Sequence, residues 1–232
     1  MNKTPTRSLL PSLTGGVWGW VFFLFLTFIA CSSDIEDYDP YYNWEERNAA
    51  WYEQIADSAR TAMAAARRTY GDEWESHCNW RMYKSLLKSP TWQSGKLTDS
   101  ICVRIISRGS GTVSPAYNDS VRVSFRGWLM PTTDANGNIF ETVFTQTYYG
   151  EFNRALAAPN LAPPSAYNDG FATAVQHMVE DDDWMVYIPN QLFYGSELKG
   201  NVQPYSTVRM RLHLAAIYPI GTTVPAWKAQ RK

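Results

Sequence analysis

The chain has 232 residues, a formal net charge of −1 and no long basic run. A nucleic-acid partner needs a cationic face against phosphates, so no nucleic-acid partner is expected. Hydrophobic residues make up 45% of the chain, which supports a sizeable core in one domain with extensions or in two small domains. The aromatic share, 15% with ten Trp and fourteen Tyr, serves an aromatic-lined cavity and an ordinary aromatic core equally well. The cysteines, Cys31, Cys78 and Cys102, form no CxxC, and no Cys/His set has zinc spacing, so no metal and no cofactor is expected. Cys78 and Cys102 could close one disulfide or stay as two buried thiols; the sequence leaves both open.

Lys3 and Arg7 open the chain, and Val17 to Ala30 is an almost unbroken apolar run. That run is shorter than the ~20 residues of a comfortable membrane span and has the length of a signal-peptide core. It ends in Phe28-Ile29-Ala30-Cys31, which resembles the lipobox of bacterial lipoproteins. The resemblance implies a signal peptide over 1–30 and lipidation at Cys31; the alternative is an uncleaved helical anchor. Ser32 follows Cys31, and Asp34, Glu36, Asp37 and Asp39 come soon after. This acidic stretch resembles the export signal of some surface lipoproteins, and it is equally a solvated linker. The expected place is the cell envelope, as an outer-membrane lipoprotein, with surface exposure left open.

Residues 31–96 read as an acidic tether followed by a helical segment. Trp44, Trp51, Ile55, Ala59, Ala62, Met63 and Ala66 recur at helical spacing, which predicts one helix over 44–70. Arg60, Arg67 and Arg68 suit its C-terminal end, and Gly71 supplies a stop. Such a helix either joins two copies into an oligomer or packs on its own domain. Trp80 to Leu86 and Ser89 to Trp92 read as an irregular aromatic connector.

From residue 97 the period becomes two. Ile101, Val103 and Ile105 alternate with Cys102, Arg104 and Ile106; Val121, Val123 and Phe125 with Arg122, Ser124 and Arg126; Val208, Met210, Leu212 and Leu214 with Arg209, Arg211 and His213. Half-buried strands of this kind predict an antiparallel sheet. Trp184 to Ile188 is a further strand stopped by Pro189, and Asp134 to Asn138 is a turn between two strands. One short helix, Phe171 to Val179, is capped by Asn168 or Asp169. The predicted class is α+β: an antiparallel sheet wrapped around one short helix, with a helical segment before it.

Five motifs in order now carry a family resemblance. Val121-Arg122-Val123-Ser124-Phe125-Arg126-Gly127 resembles V-x-V-x-Y-x-G, and Gly137 to Thr142 resembles G-x-x-F-D-S. Gly170-Phe171 with Met178 resembles G-W-x-x-x-x-x-x-M. Ile188-Pro189 with Phe193-Tyr194-Gly195 resembles I-P-x-x-x-A-Y-G, and Pro204 to Leu214 resembles a closing P-x-x-T-L-x-F-x-V-x-L strand. Together they resemble the FKBP-type peptidyl-prolyl cis–trans isomerases over 97–220, with 221–232 as a tail. The resemblance implies a pocket with Phe140, Glu141, Phe171 and Tyr194 as catalytic residues and Phe125, Val202 and Met210 as substrate-binding residues. It implies proline-containing polypeptides as partners. The segment from Tyr148 to Asp169 is longer than the common family loop and is either a lid or an insertion. His77, His177 and His213 share no motif and read as structural.

Two functions fit these residues: an exported proline isomerase for envelope or surface proteins, and a non-catalytic peptide-binding lipoprotein on the same scaffold. In both, Cys31 carries the anchor. Cys31→Ala is expected to move the full-length protein from the detergent phase to the aqueous phase in detergent partitioning; a wild type that stays aqueous overturns the anchor.

Overall fold

The computed structural model describes residues 38–88 and 95–228. The leader, Cys31, the acidic residues 34–37 and the segment 89–94 lie outside the described residues.

Helix α1 runs Trp44–Tyr70 with Glu45 and Glu46 in its first turn and Arg67 and Arg68 in its last. Both sets of charges complement the helix dipole. It ends at Gly71, whose φ of 54° suits glycine and whose N–H donates to the Arg67 carbonyl. A short second helix, α2, covers Trp74–His77. Strand β1, Trp80–Lys84, lies where an irregular connector was expected. The period-two signal fails there because each face mixes polar and apolar residues, Trp80, Met82 and Lys84 on one and Arg81 and Tyr83 on the other.

The remaining strands are β2 Ser100–Ser107, β3 Ser120–Leu129, β4 Thr132–Thr133, β5 Ile139–Phe140, β6 Val143–Gln146, β7 Asn160–Ala162, β8 Asp183–Ile188 and β9 Val208–Tyr218. The main sheet runs β1-β2-β8-β9-β3-β6, with every pair antiparallel. β7 pairs with the first half of the β3 edge, at Val121 to Val123, and β6 with the second half. Within the Tyr148–Asp169 segment, Asn160–Ala162 is therefore tied into the sheet. β4 and β5 form a small separate hairpin, closed by Asp134, whose carboxylate accepts from Asn136 and Asn138.

Helix α3, Asp169–Val175, is the short helix the sheet wraps. It ends four residues sooner than the expected Val179. Asn168 caps it by accepting from the Phe171 N–H. Its residues Gly170 to Val175 are all buried, and Phe171, Ala174 and Val175 join Val103, Val123, Val186, Leu212 and their neighbours in the main core. Gly170 sits so close to Ile188 that any Cβ there would overlap it.

Helix α1 covers the opposite face of the sheet. Tyr52 and Ala56 pack on Cys102, flanked by Met82 and Tyr187, which alternate with the inward-facing residues of β1, β2 and β8. Residues 38–228 therefore form one compact unit, and the residue-97 boundary runs between paired strands β1 and β2. The buried stripe of α1 is Trp44, Asn48, Tyr52, Ala56, Ala59 and Ala66, with Trp51, Ile55, Ala62 and Met63 half-buried beside it. The stripe is rotated from the expected one because Asn48, a polar residue, occupies a core position. Its amide donates to the Trp44 carbonyl at 2.7 Å and accepts from the Thr207 N–H at 2.9 Å, while Trp44 Nε1 donates to Ser206 Oγ at 2.9 Å.

Cys78 and Cys102 are free and buried. Burial pushes the Cys102 thiol up to about 11, so it stays protonated and unreactive. Among the described residues no helix is long and apolar enough to cross a membrane.

Asn48 ties the start of α1 to the strand that forms the pocket wall. Asn48→Ala leaves the buried Thr207 N–H without an acceptor, which costs about 1–3 kcal/mol. The expected outcome is a lower urea midpoint with an unchanged slope.

Candidate active site

A cavity of about 330 Å³ opens between β3, β6, α3 and the segment joining β8 to β9. Its floor is Phe171, 2% exposed at the start of α3. Tyr167 stacks on Phe171 at 4.1 Å between ring centroids, and Phe125 meets it edge-on at 5.6 Å. Tyr167 is itself placed by Asn160 of β7, whose amide donates to the phenol oxygen at 2.7 Å. The opposite wall is Phe144, Phe193 and Tyr194, linked at 5.6 Å and 4.2 Å. Buried Val202 and Met210 complete the apolar lining.

Each ring is positioned by local chemistry. Pro189 ends β8, a 3-10 turn follows over Asn190–Leu192, and the Gly195 N–H closes back on the Asn190 carbonyl at 2.8 Å. That turn leaves Tyr194 facing the cavity, and its hydroxyl has no hydrogen-bond partner among the described residues. Phe144 lies over Gly127 of β3; a Cβ at 127 would come within 2.7 Å of the ring. Gly127 is thus the gap that lets the Phe144 ring approach the strand.

Of the expected set, Phe125, Phe171, Tyr194, Val202 and Met210 line the cavity, and Phe140 and Glu141 lie outside its lining. Phe140 sits on the β4–β5 hairpin, 38% exposed, and does not line the cavity. Glu141 is paired with Arg209, both carboxylate oxygens 2.9 Å from the same guanidinium nitrogen, on the outer face. Phe144 and Thr145 take those places. Two phenylalanines follow Gly137, and spacing from the glycine selects the first. The signal for the second was the hairpin itself: Thr132 pairs with Phe140, so the segment through Phe140 belongs to the β4–β5 arm. The pocket strand starts only at Val143.

Among the described residues that line the cavity there is no Cys, His, Asp or Glu, and Lys199 at the rim is the one charged residue. What such a cup can do is strip water from a small apolar group and offer a hydroxyl donor to a polar atom beside it.

No protein-family model matches the chain. It is similar to the macrophage infectivity potentiator of Trypanosoma cruzi, 29% identical over 123 residues, 53% of this chain and 55% of that protein. It is similar to the peptidyl-prolyl cis-trans isomerase Mip of Coxiella burnetii, 24% identical over 122 residues, 52% of this chain and 46% of that one. The chain spans about half the length of the curated relatives it matches. A solved peptidyl-prolyl cis-trans isomerase from Pseudomonas syringae pv. tomato is 22% identical, with 72% of this chain and 95% of that chain covered at a TM-score of 0.39. The similarity to these two curated proteins extends over about half of this chain.

The histidines lie away from the cavity. His177 stacks on Tyr83 at 4.0 Å, and His213 packs against Phe152 at 4.7 Å with Asp181 4.0 Å away. Burial lowers the pKa of both; at His213 the charge of Arg154 adds to the effect. Above about pH 6.5, the ordinary histidine value, both are neutral folded or unfolded. Below it the unfolded chain binds protons that the folded chain refuses, so stability falls as pH drops. The urea midpoint is expected to decrease from pH 7.5 to 5.5, and the double variant His177→Phe, His213→Gln to flatten that slope.

Proposed function

We propose that this chain is an exported peptidyl-prolyl cis–trans isomerase, anchored through a lipidated Cys31, acting on Xaa-Pro bonds of envelope or surface proteins. The observation that carries the reading is the aromatic cup over Phe171 with the uncommitted Tyr194 hydroxyl at its wall. Rotation about a peptide bond breaks amide resonance at a cost of ~18–20 kcal/mol. An Xaa-Pro bond has two close ground states that interconvert in ~10–100 s at 25 °C. The twisted amide carries less charge separation than the planar one. Moving it from water into an apolar cup favours the transition state over the ground state. Phe125, Tyr167 and Phe171 hold the prolyl ring, and Tyr194 donates to a substrate carbonyl. Proton transfer and covalent chemistry are not needed.

A second reading, a peptide-binding module without catalysis, is favoured by two positions. Phe125 has no hydroxyl, and Thr145 stands where the family motif has a carboxylate. Tyr194→Phe separates the two. Its hydroxyl has no partner to lose in the folded chain, so the thermal midpoint is expected to stay. A bond made mainly in the transition state, worth about 1 kcal/mol, lowers kcat/KM roughly fivefold. Phe171→Trp, toward the family residue, is expected to raise the rate. A folded wild type that never exceeds the spontaneous rate on an Xaa-Pro peptide, with no gain from Phe171→Trp, leaves the binding module.

A further inference from the structure

Among the described residues, the cavity lining carries one charged side chain, Lys199. Of the carboxylates placed near that lining in sequence, Glu141 is taken by Arg209. Asp169, beside the lining residue Asn168, accepts from Ser85 Oγ at 2.6 and 2.7 Å and from Thr173 Oγ1 at 3.2 Å. Thr145 brings a neutral hydroxyl to the lining.

Lys199 lines the same mouth. Its backbone is fixed: the Lys199 N–H donates to the Val202 carbonyl at 3.1 Å, and the Val202 N–H donates back at 3.0 Å. Val202 is 2% exposed in the pocket lining, so this two-way pairing anchors the lysine beside the floor. Its ammonium is 3.6 Å from Glu197, with the two side chains 59% and 71% exposed. Exposed pairs of this kind hold their partners weakly, so the ammonium can exchange Glu197 for an incoming carboxylate.

We propose that Lys199 makes this site select prolyl segments carrying an acidic residue directly beside the proline. The inference rests on the isomerase reading and names its substrate class. Lys199 and Val202 line the same cavity as Phe171, and in this proposal the chain on a prolyl ring seated at Phe171 passes this pair. A carboxylate on the neighbouring residue meets a cation there and no fixed anion except Glu197. A lysine or arginine at that place meets repulsion.

The test compares Xaa-Pro peptides with Glu, Leu or Lys immediately before the proline, and a second set with the same residues immediately after it. The detergent-solubilised full chain is used throughout. In at least one set, kcat/KM for the Glu peptide is expected to exceed that for the Lys peptide roughly threefold, the scale of an exposed ion pair. The ratio should shrink at 1 M NaCl, where charges are screened within about 3 Å. It should reverse in Lys199→Glu and widen in Glu197→Gln. A wild-type ratio near one in both sets, or a ratio that Lys199→Glu leaves unchanged, overturns the proposal. If no peptide is accelerated, the isomerase reading fails. Calorimetric titration of the same peptides then decides the charge preference alone, by the order of their affinities.

Discussion

Helix α3 is seven residues long, and an isolated helix of that length does not hold together in water. Every residue from Gly170 to Val175 is buried, so its stability comes from the sheet that wraps it. That enclosure constrains everything near it. The strands must curve over the helix, Gly170 must lack a side chain to let Ile188 approach, and Asn168 must accept from the Phe171 N–H, one of the free N–H groups of the first turn. Phe171, in the first turn, then has no route outward and becomes a floor on which Tyr167 and Phe125 pack. The cavity is the space left where β3 and β6 bend past the start of α3.

The second face of the same sheet is closed by α1. This changes the character of β1, β2 and β8, which are buried on both sides near Cys102 and Tyr187. It also links the distant end of the chain to the pocket wall, because Asn48 and Trp44 hold Thr207 and Ser206 just before β9, which carries Met210. Farther along the outer face, Arg122 lies over the Tyr218 and Trp227 rings and donates to the Pro225 carbonyl at 2.8 Å. The residues after β9 are thereby held against β3 on the side away from the cavity.

The cup has a division of labour by polarity. Among the described residues, the lining combines aromatic rings, one phenol hydroxyl with no protein partner, on Tyr194, and one rim cation, Lys199. Acidic groups near it in sequence are held elsewhere by stronger partners. Asp183 shows the same economy on the outer face: it is buried and paired with Arg211 through contacts of 3.0 and 2.8 Å, so that neither charge is left alone.

The sequence by itself determined the antiparallel sheet, the short capped helix and the long helix over 44–70, because side-chain periodicity, capping residues and glycine stops act locally. Of the seven expected site residues, Phe125, Phe171, Tyr194, Val202 and Met210 line the cavity, and each lies in a segment with its own motif. Three things were decided only by tertiary contact. β1 was invisible because each of its faces mixes polar and apolar residues, and only its pairing with β2 makes it a strand. The true stripe of α1 was hidden because Asn48 is buried only by virtue of the Thr207 N–H that it accepts from far along the chain. Phe140 and Phe144 both follow the same glycine, and the choice between them was made by the pairing of Thr132 with Phe140 and by the empty space over Gly127. Local chemistry says which residues could fill a pocket; the register of the strands says which one reaches it.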